Sequence, residues 1–239
     1  MKRVNARRIK IGIMALLMVT LDVTRPWQAL PPAWQPWEPL ALDHTFNPVT
    51  RWKLAKLGAE PEQCLAVLAT APQNALDYLP LADYTPVEGC PLKNVVRVKS
   101  THIDFNASFT LSCPLLVRWL MFEQQKLQPL ALKYQGSKIT TVDHFGTFAC
   151  RNVYNREAGR RSQHATASAF DVAAFHFEDG NVVTVLKDWD NTNSPANSAF
   201  LHEVHDAACS YFGTVLGPDY NQPHANHFHL DTSGFNLCR

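Results

Sequence analysis

Two runs hold the residues best suited to chemistry. Ser162-Gln163-His164-Ala165-Thr166-Ala167-Ser168-Ala169-Phe170-Asp171 sets an imidazole seven residues ahead of a carboxylate, and His224-Ala225-Asn226-His227-Phe228-His229-Leu230-Asp231 brings three more imidazoles near the C-terminus. Two imidazoles and a carboxylate are the donor set of a catalytic zinc site, which uses three protein ligands and keeps one position open. The expected cofactor is therefore Zn2+, which lowers the pKa of water to about 7 and makes hydroxide available at neutral pH. Residues two apart on a strand share a face, so His227 and His229 point one way while Phe228 and Leu230 point into the core. Only one of the two histidines need be a ligand, and the other is then placed to hold water or a developing oxyanion. The apolar neighbours of Asp171 (Phe170, Val172, Ala173, Ala174) imply burial, and a buried carboxylate requires a partner or a metal.

Other catalytic patterns are missing or decoys. His202-Glu203-Val204-His205 imitates a metalloprotease helix, but that motif needs histidines at i and i+4 and here they are at i and i+3; it reads as an ordinary helix face. No G-x-S-x-G elbow and no phosphate-cradling G-x-x-x-x-G-K-S/T occurs. Six cysteines (Cys64, Cys90, Cys113, Cys150, Cys209, Cys238), an even-numbered, spread-out set without a C-x-x-C pair, read as a disulfide framework in an oxidising compartment, not as catalytic or zinc-binding thiols. Pairing each cysteine with its neighbour in sequence predicts Cys64–Cys90, Cys113–Cys150 and Cys209–Cys238.

The elements that must position these groups follow from composition and patterning. The chain has 239 residues and is 46% hydrophobic, an ordinary globular composition. Five basic groups and no acid occupy the first ten residues, leaving 17 basic against 21 acidic side chains in the body. A mildly acidic body has no electrostatic footprint for nucleic acid. Behind the basic cluster, Ile11 to Leu21 is apolar, the layout of a secretory signal or signal anchor. No small-residue cleavage site follows Leu21, so residues 1–25 are expected to remain as an anchor in the inner membrane, with a cleaved signal peptide as the alternative. Either places the body in the cell envelope, on the periplasmic side.

Residues 26–49 are rich in Pro and Trp and are expected to form an extended spacer. Residues 50–239 form the domain. Short helices are predicted at Trp52–Leu57 and Pro61–Leu68, a strand at Asn94–Lys99, one long helix over Phe109–Tyr134 with an irregularity at Pro129 and an end at Gly136, and a strand at Lys138–Asp143. Asp171–Phe177 and Val182–Leu186 flank Glu178-Asp179-Gly180-Asn181, a hairpin signal. A helix from Ser194 to Phe212 stops before Gly213, and Phe228–Asp231 is a last short strand. The fold class is α+β: a small antiparallel sheet carrying a zinc site, flanked by helices and stabilised by disulfides.

The words Ser-x-His-x-x-x-x-Ala-x-Asp (Ser162 to Asp171) and His-x-His (His227 to His229) resemble the zinc metallopeptidase group of lysostaphin-like endopeptidases, D-Ala-D-Ala carboxypeptidases and the hedgehog domain. Cys150-Arg151, Phe200-Leu201, Phe212-Gly213-Thr214-Val215-Leu216-Gly217-Pro218 and the His224–Asp231 run make the chain more closely similar to the bacterial extensin-like C-terminal domain family. The resemblance implies zinc held by His164, Asp171 and His229, with catalytic roles for His227 or His224 as base and for Arg151 at the oxyanion. The carboxypeptidases carry a Glu base where this chain has none, and the group's loop glycine is Ala167 here. The implied activity is zinc-dependent peptidase or amidase action on peptidoglycan peptides. A zinc-containing or peptidoglycan-binding module without catalysis is the alternative.

Overall fold

The computed structural model of the protein describes residues 6–239. Lys2 and Arg3 of the basic cluster lie outside the described residues. In chain order the elements are α1 (Ala6–Thr24), α2 (Pro48–Lys56), α3 (Pro61–Leu68), β1 (Asp77–Pro80), β2 (Tyr84–Val87), β3 (Cys90–Leu92), β4 (Val95–Ser100), β5 (Asp104–Ser112), α4 (Cys113–Phe122), α5 (Gln128–Gln135), β6 (Ile139–Gly146), β7 (Ala169–Phe177), β8 (Val182–Thr184), α6 (Val185–Asp188), α7 (Pro195–Tyr211), β9 (Thr214–Leu216), β10 (Phe228–Asp231) and β11 (Leu237–Cys238).

The fold is α+β, but its main sheet is neither small nor purely antiparallel. Nine strands run in the order β1-β4-β5-β6-β7-β10-β9-β11, with β8 also on β7; β2 and β3 form a separate hairpin. The β5–β6 and β9–β11 pairs are parallel. A parallel neighbour needs a crossover, and the α4–α5 segment between β5 and β6 supplies it. Apolar residues of the strands and of α3, α4 and α7 share one core around Trp119, Phe122, Phe170 and Tyr211.

The long helix expected from Phe109 begins four residues later. Phe109–Ser112 end β5 and are buried, and a continuous apolar run looks alike as buried strand or buried helix. Pro114 stands in the first turn of α4, where its missing N–H costs nothing. A π-helical turn over Glu123–Leu127 separates α4 from α5 and puts Pro129 in the first turn of α5, which spares the ladder a broken bond. Gly136 closes α5 in the left-handed region at φ 67°.

Two of the three expected disulfides are corrected. The bonds are Cys64–Cys113, Cys90–Cys150 and Cys209–Cys238. Loop closure costs grow only logarithmically with length, so packing decides the partner. The contact of α3 with the start of α4 brings Cys64 to Cys113, and the β2–β3 hairpin carries Cys90 to the loop of Cys150.

The Pro/Trp-rich stretch is not a free spacer. It makes 3-10 turns at Pro26–Ala29 and Pro32–Trp34. Leu40 and Leu42 then enter the core, and Gln125 Nε2 donates to the carbonyl of His44 at 2.9 Å. Trp34 and Trp37 stay exposed. Upstream, α1 displays Ile9, Ile11, Ile13, Met14, Leu16, Met18 and Val19 to solvent. Among the described residues no helix is long and apolar enough to cross a membrane.

Candidate metal centre

Strand alternation and register build the centre. Along β7, Phe170 and Val172 face the core and Asp171 faces away; along β10, Phe228 and Leu230 face the core, while His229 and Asp231 share the opposite face. The antiparallel register sets His229 directly across from Asp171. Gly213 holds this edge in place. Its N–H donates to the carbonyl of Asp231 at 2.8 Å, and a Cβ there would lie 1.5 Å from the Ser233 carbonyl oxygen. The glycine thus serves a close approach of two backbones, not the helix end it suggests in sequence.

His164 arrives from a loop, on the 3-10 turn Gln163–Thr166. Ser162 Oγ caps the turn by accepting from the His164 N–H at 3.3 Å. Ala167 ends it in the left-handed region at φ 51°.

The three groups converge. His164 Nε2 lies 3.2 Å from Asp171 Oδ2 and 3.2 Å from His229 Nδ1, and His229 Nδ1 lies 3.0 Å from Asp171 Oδ1. The outer ring nitrogens are engaged. His164 Nδ1 donates to the Thr147 carbonyl at 3.1 Å, and His229 Nε2 sits 3.3 Å from Asp231 Oδ2. Asp231 is itself held by the Ser233 N–H at 2.8 Å. A carbonyl and a carboxylate can only accept, so both outer nitrogens carry the proton. Neutral rings would then aim two bare nitrogens and a carboxylate at one point. A proton between His229 and Asp171 relieves one edge of that triangle, whereas a cation relieves all three. Ligating histidines tied through their other N–H to carbonyls and carboxylates are the usual outer arrangement of a metal site. His164, Asp171 and His229 therefore fit a divalent ion of the zinc type.

Electrostatics agree with strong coupling. Burial opposes the charge of His229, but Asp171 and Asp231 outweigh it and push its pKa up to about 9. Burial alone would raise the Asp171 carboxyl, yet His164 and His229 hold it well below the usual carboxylate range. His227 and His224 move the other way. Burial, with His227 and His229 adding like charge, pushes His224 down to about 4. Burial likewise lowers His227, and Asp171 only partly offsets it.

His227 and His224 stand beside the trio. His227 Nε2 is 3.6 Å from Asp171 Oδ1 and its Nδ1 faces Asn226 Oδ1 at 2.8 Å. His224 Nδ1 donates to Asn221 Oδ1 at 2.6 Å, and its ring centroid is 5.3 Å from that of His227. Both line the same cleft of about 790 Å³ as the trio, and so does Arg151. The structure thus brings all six sequence-predicted site residues to one cleft.

The aromatic walls of the cleft are not Phe175, Trp189 and Phe228, which pack in the core. Tyr154 and Tyr220 occupy that role, joined hydroxyl to hydroxyl at 2.9 Å. Sequence reading assigned no role to Asp231, although its place two residues after His229 on one strand is the signal that finds it. His205 lies on α7 with its Nε2 at 3.1 Å from the Arg239 carbonyl. It neighbours Cys209 and Cys238, but those sulfurs are joined in a disulfide and offer no thiolate.

Fold and site together define an α+β domain, stapled by three disulfides, with a candidate metal-binding group of two histidines and an aspartate in an open cleft. The family model described as the extensin-like protein C-terminus matches residues 62–239, about three quarters of the sequence, and the chain belongs to that family. Neither a curated protein nor a solved structure matches it.

Proposed function

We propose that the protein is a zinc-dependent peptidase or amidase of the bacterial cell envelope that cleaves peptide bonds of peptidoglycan. The observation that carries this reading is the convergence of His164 Nε2, Asp171 and His229 Nδ1 at 3.0–3.2 Å on the cleft floor, with both outer imidazole N–H groups tied down. Zinc held there supplies a Lewis acid that polarises a carbonyl and acidifies water near neutral pH. His227 is the general base: its Nε2 adjoins Asp171, and its lowered pKa leaves the ring neutral and ready to take a proton from the attacking water. The same nitrogen returns the proton to the departing amide nitrogen. His224, with a pKa near 4, is a poor proton carrier at neutral pH and hydrogen-bonds instead. Arg151 balances negative charge developing on the carbonyl oxygen.

Arg151 and Arg160 line the cleft, and its only acidic side chains are Asp171 and Asp231 beneath the histidines. A peptide bearing free carboxylates, as wall peptides do, suits that balance. Three disulfides fit an oxidising compartment, and the basic start followed by the apolar α1 supports delivery to the periplasmic side of the inner membrane.

The test is peptide release from purified sacculi, followed by mass spectrometry. Fragments that vanish with chelator, return with zinc and are absent with His164→Ala support the reading. His227→Ala should keep its zinc and lose roughly 10²–10⁴-fold in rate. Zinc-loaded protein that sediments with sacculi and releases nothing is a binding module instead.

A further inference from the structure

A second pocket, apart from the metal cleft, lies where β5 passes into α4. It has a volume of about 180 Å³, and its polar walls are Lys93, Asn94, Ser112, Arg118, Ser168 and Thr232. Arg118 is more than nine-tenths buried. Its Nη1 donates to the Tyr211 carbonyl at 2.6 Å, while its Nε has no hydrogen-bond partner. Among the described residues no carboxylate lies within ion-pair distance of this guanidinium. Buried charges are normally paired or bound to a counter-ion. Asp231, whose charge acts on Arg118, is committed to His229 and Ser233.

A second buried group on the same wall is also unsatisfied. Ser112 is more than nine-tenths buried and its Oγ has no partner. It occupies the N-cap position of the ten-residue α4 but caps no backbone amide. The N-terminus of a helix carries partial positive charge, so this end of the pocket favours an anion. Lys93 adds a full positive charge from an exposed position. Water can fill the space and hydrogen-bond to it, but it cannot balance the charge of Arg118.

We propose that this pocket binds a small tetrahedral oxyanion of the phosphate class, held by Arg118 and Lys93 beside the N-terminus of α4. The site does not depend on metal in the main cleft. The anion can be free phosphate or the terminal phosphate of a larger envelope molecule, because both present the same oxygens.

The experiment is isothermal titration of the full chain with inorganic phosphate and, in parallel, with glycerol 3-phosphate, alongside thermal unfolding. Wild type should bind at least one of the two and unfold at a higher temperature in its presence. Binding of both means that a monoester is accepted, and binding of inorganic phosphate alone marks a site for the free ion. Lys93→Ala alters an exposed group and should fold; it should weaken binding at least about fivefold, the scale of one lost charge-assisted hydrogen bond. Arg118→Lys should weaken it further. Arg151→Ala controls for phosphate in the metal cleft and should bind as wild type does. Absence of heat and of any thermal shift with both anions overturns the proposal. So does binding that survives Lys93→Ala but is lost with Arg151→Ala.

Discussion

Two carboxylates set against imidazoles, Glu123 and Asp171, are built on opposite principles. Glu123, in the π-turn between α4 and α5, has no exposed side-chain surface. Its Oε2 accepts from Thr101 Oγ1 at 2.5 Å and from Trp119 Nε1 at 2.9 Å, and His102 Nδ1 stands 3.4 Å from Oε1. Hydroxyl and indole groups are ready donors whatever the protonation of the histidine, so Oε2 is satisfied from within, while Oε1 has only His102 at ion-pair distance. Asp171 faces only imidazole nitrogens, at 3.0, 3.2 and 3.6 Å. An imidazole nitrogen can donate or accept, so this cluster has no complete internal solution and opens to a cleft. Ready donors on Oε2 distinguish Glu123 from Asp171, whose neighbours can compete with it as acceptors.

Removing a group from each node breaks the comparison most sharply. His164→Ala or Asp171→Ala should abolish zinc binding, read by metal analysis of the purified chain, and chelator-sensitive peptide release should go with it. Both variants should keep the native far-ultraviolet circular dichroism. One equivalent of zinc retained by either variant would refute the ligand assignment.

Titration separates the nodes next. In the metal-free protein the folded pKa of His229, about 9, lies above its ordinary 6.5. Its contribution to stability is then fully present below about pH 6.5 and is lost as pH rises to about 9. Zinc must displace that proton to reach Nδ1, so apparent zinc affinity should climb about tenfold per pH unit over this window. Competition titrations with a chelator of known affinity give the slope, and a flat profile would mean that His229 is not a ligand. The Glu123 node has the same sign for another reason. Its hydrogen bond to Glu123 raises the pKa of His102, and the stability this adds should fade above pH 6.5 whether or not zinc is present.

A smaller effect distinguishes support from satisfaction. Glu123→Gln keeps the shape but removes the charge that Thr101, Trp119 and His102 address, and should cost about 1.5–3 kcal/mol in chemical denaturation with zinc content unchanged. Asp231→Asn should do the reverse. It leaves the fold nearly as stable and weakens zinc about 10–100-fold by loosening His229.

Both nodes differ also in how far they can be read from sequence. The convergence of His164, Asp171 and His229 was legible because chemistry and period coincide: His-x-His on a strand fixes a shared face, and Asp171 opens a run of core residues. The hairpin at Asp179-Gly180 and the Pro61–Leu68 helix were legible for the same local reason. The Glu123 node was hidden because Thr101 and His102 meet it only through the β4–β5 turn, which no local pattern announces; Trp119, four residues earlier on the helix, is its one local partner. The β1–β3 strands and the partners of Cys64 and Cys90 were hidden likewise, since long-range packing selects them. Gly213 shows the converse, a residue whose local meaning was plausible and whose tertiary reason is a neighbouring backbone.

The weakest predicted effect concerns the loop that delivers His164. Ala167 holds φ 51° with its methyl fully buried against Leu92 and Val95. For an L-residue the left-handed region costs roughly 1–2 kcal/mol, which glycine avoids. Against that, Ala167→Gly gives up a buried methyl worth about 0.8 kcal/mol and adds about 0.4–1 kcal/mol of unfolded-chain entropy. These terms nearly cancel, so the unfolding free energy should change by less than about 1 kcal/mol in either direction. Zinc binding should not change, because the position of His164 rests on contacts that survive: the Ser162 cap, the Ala149 N–H on the His164 carbonyl at 3.1 Å and the Thr147 carbonyl on its ring. Ala167→Val, which places a branched side chain at positive φ in a filled space, should destabilise clearly more than the glycine variant. If Ala167→Gly instead loses zinc, the alanine methyl and not the hydrogen-bonded loop sets the ligand, and the metal node depends on packing as much as the Glu123 node does.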